Sequence, residues 1–399
     1  MNMNKIAFNI LTVPVLAVLA VSCGGQDEIY KEWVKKGGYD YPAKAINLSS
    51  VIGYQNVIVN WEKPMDPAVR TATLFWDNYA KSIDVDYADY PDGKVSIEVG
   101  ELEDRSYTFD IVNYDDVGNK SLAAEITVSP YGDGWMVSRS ERTVTSARME
   151  GRDAKIVMSK ATDEMIATRF RYKNLQDEWV ESETVLKPGE NEVTFKDAMK
   201  GKRFEYSSSF CPKAGKDTVW RTWTKSVDGI SYQIDGSRWN VTATNGQYFG
   251  INTPGKIFDG RYDRPAYSWH SSKSDNNKQA FPKILSVDTQ TSAGEEFAFT
   301  GFTFCENNTA ASLRYIKDYT IYVGSSYYNP DDADYQKNFG IPFIGGTLST
   351  SADQYSVNVT QGATGRYIAI VFKNSWNAED GFIDLWELIP YGYIPSLAD

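Results

Sequence analysis

Apolar residues that alternate with polar ones are the dominant pattern of this chain from Ala43 onward. Two clear examples, about 100 residues apart, are residues 57–61 and 154–158. Because successive side chains of a strand point to opposite faces of its sheet, a period of two predicts strands with one buried face. The chain is therefore expected to be all-β, and its 399 residues suit two to four domains.

The composition excludes several classes of function. A net charge of −12 argues against nucleic acid as a partner, because nucleic-acid binding requires a basic surface. His270 is the single histidine, so His-based catalysis and multi-His metal sites are not expected. The aromatic share of 14% favours strands and supplies flat faces for ligands. Cys211 and Cys305 are expected to be buried thiols in different domains.

The N-terminus has the features of a secretory signal. Lys5 precedes an apolar run over residues 6–21, which predicts a signal peptide over residues 1–22. The sequence Leu-Ala-Val-Ser-Cys at 19–23 resembles a bacterial lipobox, which implies lipid attachment to Cys23. The acidic residues that follow are similar to the surface-export signal of Bacteroidetes lipoproteins, or form an ordinary linker. Residues 23–42 are then a lipidated tether, and the expected location is the outer membrane, lipid-anchored and facing the cell exterior.

In residues 43–130, Trp61 lies early in the unit, and Leu102 precedes Tyr107 by five residues. With these landmarks the unit resembles a fibronectin type III domain. The resemblance implies that Trp61 lies in the core and that Leu102 and Tyr107 form a tyrosine corner, in which the hydroxyl bonds back to the chain. A fainter copy of the pattern over residues 131–228 predicts a second fibronectin/Ig-like sandwich.

Residues 229–399 form a longer unit with the landmarks Asp259-Gly260, Trp269-His270-Ser271, Arg366-Tyr367-Ile368 and Glu387-Leu388. In this order the landmarks resemble those of a coagulation-factor type C (discoidin-like) domain. It implies a galactose-binding-type jelly-roll sandwich, similar to family 32 carbohydrate-binding modules. The predicted fold class is thus all-β, with two tandem fibronectin/Ig-like sandwiches followed by a jelly roll.

Aromatic and polar residues of two segments of this unit are candidates for ligand binding. Sugar rings have apolar faces edged with hydroxyls, so their recognition needs an aromatic platform flanked by polar groups. Trp269 is expected in the core, His270 has a structural hydrogen bond as its alternative role, and Tyr248 remains open. The candidate ligand-binding residues are Tyr262, Arg264, Tyr267, His270, Asn374 and Trp376.

The same resemblance implies one structural calcium ion. Its expected ligands are Asp259 and Glu387, whose oxygen atoms suit a hard cation. However, Tyr267 stands where many relatives have Thr, and the preceding loop is longer. The alternative for Glu387 is a hydrogen bond to the chain near its terminus.

The sequence contains no nucleophile elbow, phosphate loop, HExxH helix or cysteine-ligand cluster. We therefore expect no enzyme activity. The leading hypothesis is a surface glycan-binding lipoprotein that captures carbohydrate for a polysaccharide-uptake system, with outer-membrane transport and hydrolase partners. The alternative is a protein-binding adhesion or scaffold lipoprotein that uses the same jelly roll.

Overall fold

The computed structural model describes residues 41–246, 248–261, 268–271, 281–306, 315–349, 354–376 and 381–399. The chain divides into two compact units, residues 1–131 and 132–399. Among the described residues, no helix is both long and apolar enough to cross a membrane. The predicted signal peptide and Cys23 lie outside the described residues, so they stay predictions.

Within residues 41–131, all of which are described, seven strands form two antiparallel sheets. The strands are β1 (Ile46–Ile52), β2 (Val57–Glu62), β3 (Val69–Trp76), β4 (Lys81–Asp86), β5 (Lys94–Val99), β6 (Tyr107–Asp115) and β7 (Ala124–Val128). The sheets have the orders β1-β2-β5 and β4-β3-β6-β7. Their buried faces share one core, which includes Trp61, Leu74 and Phe109.

Two predictions for this sandwich are confirmed. Trp61 is only 1% exposed, and its indole Nε1 donates a hydrogen bond to the hydroxyl of Tyr87 over 3.0 Å. The hydroxyl of Tyr107 accepts a hydrogen bond of 3.0 Å from the backbone N–H of Glu103, next to buried Leu102. The hydroxyl therefore bonds back to the chain, as a tyrosine corner requires.

Residues 132–228, all described, begin with helix α1 (Asp133–Val137) and continue with eight strands. The strands are β8 (Val144–Glu150), β9 (Asp153–Met158), β10 (Met165–Lys173), β11 (Trp179–Glu181), β12 (Glu192–Phe195), β13 (Glu205–Phe210), β14 (Val219–Trp220) and β15 (Thr224–Lys225). One sheet has the order β12-β9-β8. The other has the order β11-β10-β13-β14, with β15 also paired to β13. The strand order of the first sandwich is thus repeated.

The described residues from 229 onward contribute ten strands and helix α2 (Tyr335–Asn338). The strands are β16 (Tyr232–Gln233), β17 (Asn240–Ala243), β18 (Trp269–His270), β19 (Lys283–Asp288), β20 (Phe297–Glu306), β21 (Asp318–Gly324), β22 (Ile344–Thr347), β23 (Gln354–Gly365), β24 (Tyr367–Phe372) and β25 (Asp384–Tyr393). One sheet has the order β16-β25-β20-β23, with β18 paired to β25, and the other has the order β17-β19-β24-β21-β22. Trp269 is 1% exposed in the shared core, as predicted. The predicted all-β fold class, with its successive sandwiches, is confirmed.

The cysteine prediction is correct for one thiol and wrong for the other. Cys211 and Cys305 are both free. Cys305 is buried on β20, and burial raises the pKa of its thiol to about 12. Cys211 is only half-buried, because it follows the last residue of β13, where the chain leaves the sheet.

The two sandwiches of the second unit are joined by backbone contacts. Ser231 pairs with β8, and its backbone N–H donates to the carbonyl of Ala147 over 2.9 Å. Gly201 and Ile230 form a further backbone hydrogen bond of 2.8 Å. The C-terminal Asp399 forms ion pairs of 3.1 Å with Arg203 and with Lys225. Residues 132–399 therefore form one compact unit, and a boundary at 228/229 stays a prediction.

Candidate ligand-binding site

Several segments of the jelly roll meet at the end of the sandwich where β24 ends and β25 begins. We call this the loop end. β20 finishes there, because Glu306 pairs with Leu385 near the start of β25. β23 starts there, since Gln354 pairs with Cys305. β18 also reaches this end, where His270 pairs with Asp384. Antiparallel pairing thus brings sequence-distant segments to one edge of the fold.

Trp376 is a half-exposed aromatic residue held in place at the loop end. It is 42% exposed, and its Nε1 donates a hydrogen bond of 3.0 Å to the carbonyl of Leu348. Its backbone N–H donates to the carbonyl of Tyr315 over 3.0 Å. The ammonium of Lys317 lies 4.7 Å from the ring centroid, within the range of a cation–π contact. The indole is therefore fixed at its polar edge and against one face, and the rest of it is open.

Asn374 is committed to hydrogen bonds within the fold. Its Oδ1 accepts from the backbone N–H of Asp318 over 2.9 Å, and its Nδ2 donates to the carboxylate of Asp318 over 2.7 Å. These bonds tie the residues after β24 to the start of β21. Asn374 thus positions the segment that carries Trp376, since its amide is already engaged with Asp318.

His270 belongs to an aromatic cluster at the loop end. Its ring centroid lies 5.7 Å from that of Phe249 and 5.3 Å from that of Phe382. Phe249 is 43% exposed, and its neighbour Tyr248 is 44% exposed, so this cluster reaches the surface. His270 itself is half-buried. The cluster supplies a second aromatic surface beside the start of β25.

Asp259 and Glu387 come together as the calcium hypothesis requires. They line a cavity of about 330 Å³ with Gly260, whose backbone N–H donates to Glu387 Oε1 over 3.1 Å. Glu387 is 4% exposed, and its Oε2 has no hydrogen-bond partner. Burial, assisted by the negative charge of Asp259, raises the pKa of Glu387 to about 8. An unpartnered, buried carboxyl oxygen can serve as a ligand for a hard cation, so Glu387 fits such a site.

Asp259 fits the ion less completely. Its Oδ1 accepts from the backbone N–H of Arg261 over 3.0 Å, and its Oδ2 lies 3.5 Å from the ammonium of Lys256. In the part of the chain that the structure describes, no group of three or more His, Cys, Asp or Glu residues is arranged to hold a metal. Backbone carbonyls and water would have to complete the coordination of a calcium ion.

The remaining candidates cannot be placed. Tyr262, Arg264 and Tyr267 lie outside the described residues. The role of the segment before β18 as a ligand-binding loop therefore stays a prediction.

One family model matches part of the chain, mostly within its N-terminal half. Residues 23–217 match the family DUF4998, a domain of unknown function. No curated protein matches the chain by sequence. The DUF4998 match includes the first sandwich and most of the second, and it does not reach the loop end.

Solved structures provide distant fold similarities. A family 32 carbohydrate-binding module from C. perfringens NanJ, in complex with galactose, is 18% identical, with 41% of this chain and 99% of that chain covered and a TM-score of 0.32. A SusE-like protein is 8% identical, covering 87% and 96%, also with a TM-score of 0.32. Two fibronectin type III domains of chicken tenascin are 10% identical, covering 46% and 99%, with a TM-score of 0.21. None of these similarities assigns a function to this chain.

Sequence analysis missed one buried carboxyl group at the loop end. Glu306 is 3% exposed, its Oε1 accepts from the backbone N–H of Ile316 over 2.7 Å, and its Oε2 has no partner. Burial raises its pKa to about 8. The signal in the sequence was an acidic residue at the end of an apolar strand. Only the fold shows that this residue anchors the segment that leads into β21.

Proposed function

We propose that this chain is a non-catalytic glycan-binding protein whose jelly roll binds sugar at the loop end. The observation that carries the proposal is Trp376, a half-exposed indole fixed by hydrogen bonds from its Nε1 and its backbone N–H. Aromatic rings pack against the apolar faces of sugars, and a preorganised ring loses little entropy on binding. His270 and the exposed rings beside it extend the surface available to a ligand.

The proposal assigns different roles to the candidate residues. Trp376 is the platform, and Asn374 positions it through Asp318. His270 lies at the aromatic rim with Phe249. Tyr262, Arg264 and Tyr267 remain in the proposal as polar and aromatic contacts from the segment before β18.

The cellular setting is also a proposal. The lipobox-like sequence that ends at Cys23 supports a lipid anchor, and the acidic residues behind it support export to the outer surface of a bacterial outer membrane. Many weak sites on one surface bind a polymer through avidity. Such a protein would capture polysaccharide for outer-membrane transport and hydrolase partners.

The direct test is a glycan array with the purified protein and its Trp376→Ala variant. We expect the variant to bind its glycan at least 10-fold more weakly, because truncation of a central aromatic contact costs about 1.4 kcal/mol or more. Trp376→Phe keeps an aromatic ring and should retain part of the affinity.

Tyr327 offers a matched control. It is 53% exposed, and it packs edge-on against Tyr367 at the start of β24, the opposite end of the sandwich. Tyr327→Ala should leave glycan binding unchanged. If the protein bound no glycan, or if both variants behaved alike, the loop-end site would be wrong and the protein-binding alternative would take its place.

We also propose that Glu387, with Asp259, holds a calcium ion. Calcium at 100 times its dissociation constant should stabilise the second unit by about 2.7 kcal/mol, measured by calorimetry with and without a chelator. Glu387→Gln should abolish this gain, and Glu306→Gln, which changes another buried carboxylate, should not. Equal stability with calcium and chelator would contradict the proposal.

Because burial raises the pKa of Glu387 to about 8, calcium must displace the proton of this carboxyl group. The affinity of the protein for calcium should therefore increase as pH rises toward 8.

A further inference from the structure

A row of cations crosses the outer face of the second sandwich. β10 buries Phe170 and Tyr172, so the alternate residues Arg169, Arg171 and Lys173 point away from the core. At about 3.4 Å per residue, the row extends over roughly 14 Å. On a chain with a net charge of −12, three cations in line are a local exception.

Three tryptophans interleave with these cations. The guanidinium of Arg169 lies 4.5 Å from the ring centroid of Trp220 and 4.6 Å from that of Trp223. The guanidinium of Arg171 lies 4.7 Å from Trp223 and 5.5 Å from Trp179. We call this set the tryptophan–cation row; it consists of Arg169, Arg171, Lys173, Trp179, Trp220 and Trp223.

Two indoles of the row are exposed to solvent. Trp179 is 45% exposed and Trp220 is 38% exposed, although cation–π contacts cover part of each ring. Exposed tryptophans beside arginines are the residues most enriched at binding hot spots. The row therefore combines exposed aromatic surface with positive charge.

Two of the cations have an acidic partner, one across the sheet and one in the turn after β10. Arg171 pairs with Glu205 on β13, and its Nε donates to Oε2 of Glu205 over 2.5 Å. Lys173 lies 3.2 Å from the carboxylate of Asp177. Both charges are thus neutralised within the fold.

Arg169 differs from these two cations. Its cross-strand partner on β13 is Ser207, whose hydroxyl donates instead to the carbonyl of Arg221. Its Nε is buried without a hydrogen-bond partner, and no acidic residue of the described chain forms an ion pair with it. The indoles of Trp220 and Trp223 hold this guanidinium in place. Arg169 is therefore a preorganised cation whose hydrogen-bonding capacity is not used.

We propose that the tryptophan–cation row binds a carboxylate-bearing polysaccharide, with Arg169 pairing to the carboxylate of a uronate sugar. The planar guanidinium matches a carboxylate through two parallel hydrogen bonds. The flanking indoles pack against the apolar faces of the same and neighbouring sugars. This second glycan site is separate from the loop end and does not depend on the function proposed for it.

The geometry favours a glycan over an acidic peptide. Extended peptides commonly bind to sheets by adding a strand at an exposed edge, where backbone groups are free. β10 is an inner strand, and its backbone pairs with β11 on one side and with β13 on the other. A peptide on this face would gain no strand pairing, whereas a sugar needs only side chains.

The test measures binding of the purified protein to polygalacturonate and to alginate by affinity electrophoresis and calorimetry. We expect binding to at least one polymer, weakened by added salt because a charge pair is involved. Carboxyl-reduced polygalacturonate should bind at least 10-fold more weakly. Arg169→Gln should cause a similar loss of affinity. Arg169→Lys should cause an intermediate loss, because lysine keeps the charge but lacks the planar guanidinium that forms two parallel hydrogen bonds.

Two control variants separate this site from other features. Arg139 lies 5.0 Å from the ring of Trp135 in the same unit, so Arg139→Gln removes a comparable arginine–tryptophan contact outside the row. It should leave uronate binding unchanged, as should Tyr327→Ala, which removes an exposed aromatic ring of the jelly roll. Thermal unfolding of each variant shows whether the unit remains folded.

Three results would overturn the proposal. The first is no binding to either polymer, and the second is full binding by a folded Arg169→Gln variant. The third is that poly-glutamate binds as tightly as the polysaccharides and with the same dependence on Arg169, which would assign the row to acidic peptides.

Discussion

Trp61→Ala is expected to lower the free energy of unfolding of the first unit by about 4 kcal/mol, the size typical of a buried Trp truncation. Trp61 is 1% exposed on β2, and its Nε1 donates to the hydroxyl of Tyr87. That hydroxyl donates in turn to Oδ1 of Asn113 over 2.8 Å. The substitution opens a cavity and removes the donor from this buried chain of hydrogen bonds. Stability is therefore lost both from packing and from hydrogen bonding.

Calorimetry of the purified protein measures this effect as a shift of the transition of the first unit, by roughly 20 °C for a domain of this size. Val117→Ala is the control, because Val117 is 82% exposed and its truncation should change stability by less than about 0.5 kcal/mol. A change below about 1 kcal/mol for Trp61→Ala would show that Trp61 does not support the core. Tyr87→Phe tests the hydrogen bonds alone and should cost about 1–3 kcal/mol.

Gly229→Ala should destabilise the second unit by about 3 kcal/mol, the upper part of the range for overpacking. A Cβ at position 229 would lie 2.1 Å from the carbonyl oxygen of Gly201 and 2.9 Å from the ring of Tyr393. The carbonyl belongs to a backbone segment that is itself paired to Ile230, so it cannot move away without breaking that hydrogen bond. The cost therefore comes from the junction between the two sandwiches of this unit.

Chemical denaturation followed by circular dichroism measures this loss, and Gly189→Ala is the matched control. Gly189 is exposed, and a Cβ there meets no atom within 4 Å. The free energy of unfolding of the Gly189→Ala variant should therefore change by less than about 0.5 kcal/mol. If Gly229→Ala unfolded like the wild type, the close approach of residues 201 and 229 would not contribute to stability.

The sequence by itself determined the strands and most of the core. Alternation of apolar residues identified the buried face of β2 and predicted Trp61 as a core residue. The resemblance to a fibronectin type III domain implied a Tyr107 hydroxyl that bonds back to the chain, and the structure has that bond, from the backbone N–H of Glu103. These features are local, because the alternation of a strand and the residues of a tyrosine corner each extend over only a few positions.

The tertiary structure alone decided which polar residues are free to bind. Asn374 is committed to Asp318, and Glu306 is a buried anchor, because antiparallel pairing joins segments far apart in sequence. Cross-strand register gives Arg171 a carboxylate partner and gives Arg169 a serine. Neither composition nor periodicity contains this information, since a shift of one residue in register would exchange the partners and the exposed face.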